Sequence, residues 1–291
     1  MKKLLLSIMC VACSFGYESV ASEPIVGEGN PKPNSENIVF ADAVVKRVCV
    51  SAFDTNCDGE LSYEEAAKVT SIPSKFFGED AENITTFNEL QYFTNLQVIK
   101  DYAFRDSNLS QIIIPEGVTH IGVRAFSRTD IVSIIIPDSV TTMGDGVFEL
   151  CLSLTNIVLS NNLLLIPFNA FQCTNLLSVT IPDGTTSIDS SAFEQCDVLT
   201  EITIPDSITS IGNFAFCYCS NLKTIYCKAA TPPVLSDEGY GPRYFINNDI
   251  GSLGREKRHF TIYVPQESVS AYKQDRNWKQ YSKTIEGYDF K

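Results

Sequence analysis

The chain has 291 residues, of which 22 are basic and 35 acidic, giving a formal charge of −13, and 44% are hydrophobic. Such an acidic balance argues against nucleic acid and anionic lipid as partners, since polyanions are repelled rather than gathered. The length suits one or two ordinary domains, but length decides little where a repeat is present.

At the start, Met1, Lys2 and Lys3 precede an apolar run over residues 4–12, a basic head and short apolar core that predict a secretory signal over residues 1–21. Two endings compete. Ser19-Val20-Ala21 offers small residues for cleavage before Ser22 and is preferred, while Val11-Ala12-Cys13 is a degenerate lipoprotein box that would leave a lipidated Cys13. No later stretch approaches about 18 consecutive apolar residues, so no transmembrane segment is expected and the protein is read as exported, secreted or held at the cell surface. Removing the signal takes away Lys2, Lys3 and Glu18, leaving 20 basic against 34 acidic residues and a charge of −14.

Residues 22–37 read as a linker, and residues 38–93 as a helical N-terminal cap. Over residues 39–53, Val44, Val45, Val48 and Phe53 have helical apolar spacing. The next twelve residues, 54–65, match the calcium loop of an EF-hand. Hard cations take oxygen ligands, and this spacing supplies them: side chains of Asp54, Asn56 and Asp58, the carbonyl of Glu60, a water-mediated contact at Ser62 and both oxygens of Glu65. Gly59 permits the sharp turn and Leu61 anchors the loop. A short helix is expected from Ser62 to about Val69. EF-hands usually pair, and the sequence contains no second loop. The expected role of Ca2+ is structural, locking the cap onto the first coil; a fold relic that binds nothing is the competing reading.

From residue 94 to 228 three columns recur together. Phe104, Phe126, Phe148, Phe171, Phe193 and Phe216 follow one another at intervals of 22, 22, 23, 22 and 23 residues. Ile-Pro pairs begin at Ile114, Ile136, Ile181 and Ile204, with Leu159-Ser160 in the missing slot. Ile121, Met143, Ile166, Ile188 and Ile211 form the third column. A period of 20–29 residues with such a core indicates a leucine-rich-repeat solenoid, one short parallel strand per coil. The strands are expected at residues 112–114, 134–136, 157–159, 179–181, 202–204 and 225–227, first and third residues inward and the middle one outward.

These repeats resemble the Treponema pallidum-type leucine-rich repeats of BspA-like bacterial surface proteins of the Bacteroides type. The resemblance covers most of the chain after the signal. It implies an exported protein, often an adhesin that contacts host matrix or other bacteria, and leaves the ligand unnamed.

Cys151, Cys173, Cys196 and Cys219 are read as one repeat slot, shared with Thr129, and as a reduced buried ladder. Beta-carbons in stacked strands lie about 4.8 Å apart, beyond the usual disulfide separation of about 3.8 Å. Cys227 falls in a strand core slot; Cys49, Cys57 and Cys217 are left open, including a Cys49 to Cys57 bridge.

Residues 229–291 read as a C-terminal cap. Residues 261–265 resume the strand pattern, and residues 267–279 have a helical apolar face of Val269, Tyr272 and Trp278, which resembles the closing unit of the same family. Between them, residues 234–260 form a long insertion with Tyr240, Tyr244, Phe245 and the basic Arg255 and Arg258. Long loops are commonly functional or mobile. If this one is a contact loop, those aromatics and arginines are its binding residues.

The other candidate surface is the outward strand column, where Ile113, Ile135 and Val158 lead to Thr180, Thr203 and Tyr226. An exposed apolar ladder marks an interface, or else records strand propensity alone. Enzymatic readings have little to stand on. His120 and His259 are the sole histidines, and no phosphate loop, HExxH or zinc-spaced cysteine pair occurs. A carboxylate hydrolase has no positive support. The expected function is recognition of an extracellular protein or glycan; a structural surface spacer is the alternative.

Overall fold

The structure is a computed structural model, describing residues 37–235, 245–246 and 260–290. The N-terminal cap opens with helix α1, Ala43–Phe53, capped by Asp42, whose side chain accepts from the amides of Val44 and Val45. Val45 and Cys49 are fully buried on its inner face. Helix α2, Tyr63–Ala66, is a single turn closed by a reciprocal capping box between Ser62 and Glu65.

Coils follow, and they begin earlier than residue 94. Ser71–Ile72 pairs in parallel with Val98–Ile99, and Thr86–Phe87 with Gln111–Ile112. In this region α-helix ends at Ala66, 3-10 turns follow at Gly78–Asn83 and Asn88–Tyr92, and residues 71–93, read from sequence as cap, already supply coil walls. Those strands are two residues long and lack the Ala-Phe pair, so periodicity alone did not register them.

Each coil contributes to two walls. One is the strand face: Gln111–Ile112, Ser133–Ile135, Asn156–Val158, Glu201–Ile204, Thr224–Cys227, Thr261–Pro265 and Ile285–Tyr288. Inward and outward residues alternate as expected, with Ile134 buried between Ser133 and Ile135. The expected strand at residues 179–181 is not formed, although Ile181 remains buried; nothing in its residues accounts for the loss. The second wall is the Ile-Gly column, in which His120–Ile121 pairs with Thr142–Met143, and Ser187–Ile188 with both Leu165–Ile166 and Ser210–Ile211. At Gly144 a beta-carbon would collide with the backbone amide of Val123 in the preceding coil, which is why glycine recurs there.

Between the walls the Ala-Phe turns stack. The Phe126 amide donates to the Val147 carbonyl at 3.0 Å and the Phe148 amide to the Ala170 carbonyl at 2.9 Å, one coil handing its donor to the next. The fully buried rings of Phe126, Phe148 and Phe171 lie 5.3 and 5.8 Å apart, within 7° of parallel. Each turn also carries left-handed residues at two positions. One column runs Tyr102, Arg124, Gly146, Asn169, Ser191 and Phe214; the other runs Asp106, Arg128, Leu150, Cys173, Gln195 and Tyr218, all with φ between 51° and 62°.

At the far end the pattern persists past Pro233. Val234–Leu235 pairs in register with Ser210–Ile211, so the segment read as an insertion from residue 234 begins as another rung of the second wall. The expected strand at residues 261–265 is present, and the helical stretch resolves into helix α3, Val269–Gln274, and a 3-10 turn, Trp278–Tyr281. Trp278 is fully buried and donates its indole N–H to the Pro233 carbonyl at 2.7 Å. A closing strand, Ile285–Tyr288, pairs with Thr261–Pro265. It reads as Ile-Glu-Gly-Tyr, with no repeat signature to announce it.

Candidate functional site

The strand face carries the expected apolar ladder. Ile113, Ile135 and Val158 are 39%, 63% and 58% exposed, so three beta-branched side chains in successive coils stand in solvent on one wall. Ile135 and Val158 are register partners. Val132 and Leu177, 50% and 58% exposed, flank this ladder and were not singled out from sequence. Their slot follows the buried repeat leucine and holds Ser110, Thr155, Thr200 or Lys223 in the other coils. Two apolar residues in a polar slot were the available signal. Tyr226 continues the outward row, half-buried and stacked on Tyr263 at 5.4 Å.

Of the insertion residues, Tyr240, Tyr244, Arg255 and Arg258 lie outside the described residues. Phe245 does not belong to a contact loop surface. It is fully buried, 4.9 Å from Trp278 and 5.0 Å from Tyr281, and its carbonyl accepts the Phe216 amide at 2.7 Å. It serves the bonding slot that Ala215 fills for Phe193, so it caps the phenylalanine stack, and a ring so enclosed cannot be a binding hot spot.

The cysteine ladder also needs correction at one rung. Cys151, Cys196 and Cys219 are buried, and their thiols donate to the carbonyls of Phe126, Phe171 and Phe193 at 3.0, 3.2 and 3.0 Å. Thr174, not Cys173, holds the intervening rung, with its hydroxyl bonded to Phe171 and 3.3 Å from the Cys196 sulfur. The added residue of a 23-residue interval falls after Cys151, so counting from Phe171 moves the slot by one. Cys173 occupies the left-handed position, partly exposed, with φ of 58°. All eight described cysteines are free thiols, Cys49 and Cys57 included. Burial pushes the thiols of Cys151 and Cys227 up to about 11, which keeps them protonated and inert.

In the N-terminal loop, Cys57 and Gly59 take left-handed φ of 61° and 83°, winding the chain tightly around its own polar groups. Asp54 accepts from the amides of Cys57 and Gly59 at 2.7 and 3.0 Å. Asn56 and Asp58 accept from the amides of Asp58 and Glu60 at 2.8 and 2.9 Å. Glu65 is buried; one carboxylate oxygen accepts from the Thr55 and Asn56 amides and the Thr55 hydroxyl, the other from the Ser62 amide and hydroxyl. The hydrogen bonds from Ser62 and Thr55 hold its pKa down at about 2. Glu60 turns its carboxylate to Lys46 at 2.6 Å, leaving its carbonyl to the loop. Leu61 is fully buried as expected. A backbone segment lies beside the end of the loop, where Ile38 donates to the Leu61 carbonyl at 2.8 Å and Asn37 forms an antiparallel bridge with Ser62. The donor set is all oxygen, which fits a hard cation. Among the described residues, no three His, Cys, Asp or Glu side chains are grouped to hold a metal, so seating one requires exchanging loop hydrogen bonds for metal–oxygen bonds.

His120 lies in the second wall with its Nδ1 2.7 Å from the Thr142 hydroxyl, a neighbour in its register row. His259 lies outside the described residues. No described helix is long and apolar enough to cross a membrane.

Short parallel strands, one hydrogen-bonded wall on each side and a continuous ring stack define the class: this is a leucine-rich-repeat solenoid. Residues 70–198 match the BspA type leucine rich repeat region in 6 copies. A leucine-rich repeat protein from Bacteroides ovatus is 20% identical with a TM-score of 0.46, the match covering 72% of this chain and 60% of that one. A leucine rich cell surface protein from Faecalibacterium prausnitzii is 25% identical, TM-score 0.35, over 54% of this chain and 59% of its own. The Treponema pallidum leucine rich repeat protein is 22% identical, TM-score 0.38, over 44% and 62%. This chain thus spans about 60% of the length of each of these three solved structures. No curated protein matches it significantly.

Proposed function

We propose that this chain is an exported binding protein, secreted or held at the cell surface, that recognises an extracellular protein or glycan through the outward face of its strands. The observation that carries this is the ladder of Ile113, Ile135 and Val158 in solvent, flanked by Val132 and Leu177. Isolated exposed apolar residues are ordinary, but a contiguous set on one wall is the kind of surface a partner covers. The basic, apolar start of the sequence and the family of its repeats support export. An inert spacer would have no need of that ladder. Replacing Ile113 and Ile135 by Thr keeps beta-branched strand formers while removing the apolar surface. The double variant is expected to keep its melting temperature and lose capture by a panel of matrix proteins, mucin glycans and bacterial surfaces; capture equal to wild type removes this face from consideration.

The N-terminal loop is proposed to take Ca2+ as a structural ion, with Asp54, Asn56, Asp58, Glu65 and the Glu60 carbonyl as ligands and Ser62 acting through water. Extracellular sites with dissociation constants of about 10⁻⁴ to 10⁻³ M suffice for occupancy. Calorimetry should register calcium heat in wild type and none in Glu65→Gln. Identical silence in both would end the calcium reading while leaving the strand face untouched.

A further inference from the structure

The aromatic end of the strand face supports a more specific reading, one that rests on the recognition role proposed above. Thr203, Tyr226, Tyr263 and Glu286 stand opposite one another in a single row across four successive parallel strands. The alternation that buries Ile202, Ile225 and Ile262 turns this row outward. Tyr226 and Tyr263 stack at 5.4 Å with their planes 18° apart. Tyr288, 43% exposed, meets Tyr226 at 5.3 Å and 65°, and Tyr263 at 5.4 Å. Where the first rungs present aliphatic side chains, the last present a cluster of phenol rings.

One side of Tyr226 is covered by Tyr263. On the other side its neighbour in the row is Thr203, exposed and too short to cover a phenol ring, and the coil before that presents Thr180, also exposed. Phe290 comes edge-on to Tyr226 at 6.4 Å and 83°, and within the row the ring face toward Thr203 meets only that short side chain. Glu201 lies two residues before Thr203 on the same outward face, exposed, and near enough that its negative charge helps to raise the Tyr226 phenol, after burial. Glu286, exposed, ends the row beyond Tyr263. Lys228 follows at the far end of the Tyr226 strand.

A ring face is electrically negative, and two carboxylates bracket the row on a chain of charge −13. We propose that the face of Tyr226 toward Thr203, edged by Phe290 and flanked by Glu201, seats a lysine or arginine side chain of a partner protein. The ring attracts the cation, the carboxylate neutralises it, and the aliphatic stem lies along the threonine methyl. A neutral sugar would use an aromatic surface but would gain nothing from the charge of Glu201, so charge complementarity favours the basic partner.

The test titrates the full chain with a capped peptide alternating lysine and glycine, with the same peptide carrying glutamine for lysine, and with a neutral lactosamine oligosaccharide. Variants are Tyr226→Leu and Glu201→Gln, the second an exposed residue whose change keeps its size and leaves the core alone. The lysine peptide is expected to bind and the glutamine peptide not to, with each substitution weakening binding about three- to tenfold at unchanged melting temperature. If Tyr226→Leu melts early, Glu201→Gln alone decides. Lysine-peptide binding that is absent in wild type, or unaltered by Glu201→Gln, overturns the site. So does oligosaccharide binding that depends on Tyr226 and not on Glu201. Because these titrations read only the cation seat and the Ile113 and Ile135 capture assay reads the wider face, either can fail alone.

Discussion

Glu65 joins two roles in one carboxylate. It closes the capping box of α2 through Ser62 and gathers the Thr55 and Asn56 amides from the loop. Its pKa falls to about 2 because those donors favour the charged form. A group depressed in the folded state contributes stability above its unfolded pKa, here near 4.5, and loses it as pH falls toward the folded value. The melting temperature should therefore decline between pH 4.5 and about 2, and Glu65→Gln should melt several degrees lower at neutral pH with a shallower decline. Equal pH profiles for the two proteins would show that the carboxylate does not carry the effect. The chemistry of this residue was readable in the sequence because capping box and loop spacing are both local. Its self-satisfied bonding was not, since it depends on where the backbone amides turn.

At the level of the coil, one slot can be compared across several copies in the same molecule. The rung after each phenylalanine holds Ser107, Thr129, Cys151, Thr174, Cys196 and Cys219, and the side chains of Ser107, Thr129 and Thr174 bond the carbonyl of the phenylalanine three residues before them. The slot selects a small donor, and sulfur is one option among several. Cys196→Thr should change stability by less than about 1 kcal/mol, whereas Cys196→Val, similar in volume, removes one donor to the Phe171 carbonyl while the Thr174 hydroxyl still bonds it, and should cost about 0.5 to 1.5 kcal/mol. Denaturant melts of the pair decide it, and equal losses would mean that packing alone fills the slot. The columns were legible in the sequence because the apolar pattern repeats. Misplacing Cys173 and Phe245 had one shared cause: their positions depend on where an added residue is accommodated and on which distant coil supplies the next hydrogen-bond acceptor. The closing strand Ile285–Tyr288 left no sequence trace because its pairing comes wholly from the coil already in place.

Over the whole molecule, each coil leans on its neighbours, so stability is shared along the axis rather than concentrated at one centre. The strand face, with an aliphatic end and an aromatic end, is a wall this scaffold holds rigid. The same scaffold holds the paired left-handed columns at the phenylalanine turns, and eleven of their twelve residues are not glycine. An L-residue there carries about 1 to 2 kcal/mol of backbone strain, while glycine would add roughly 0.5 to 1 kcal/mol of chain entropy to lose. Gly146 is the natural relief of that strain. Gln195→Gly and Tyr218→Gly, both at exposed positions, should each raise the melting temperature, and a lowered one would show the strain to be illusory. The fold therefore keeps an unused thermal reserve distributed evenly over its turns, open to an engineer without touching either binding wall or core.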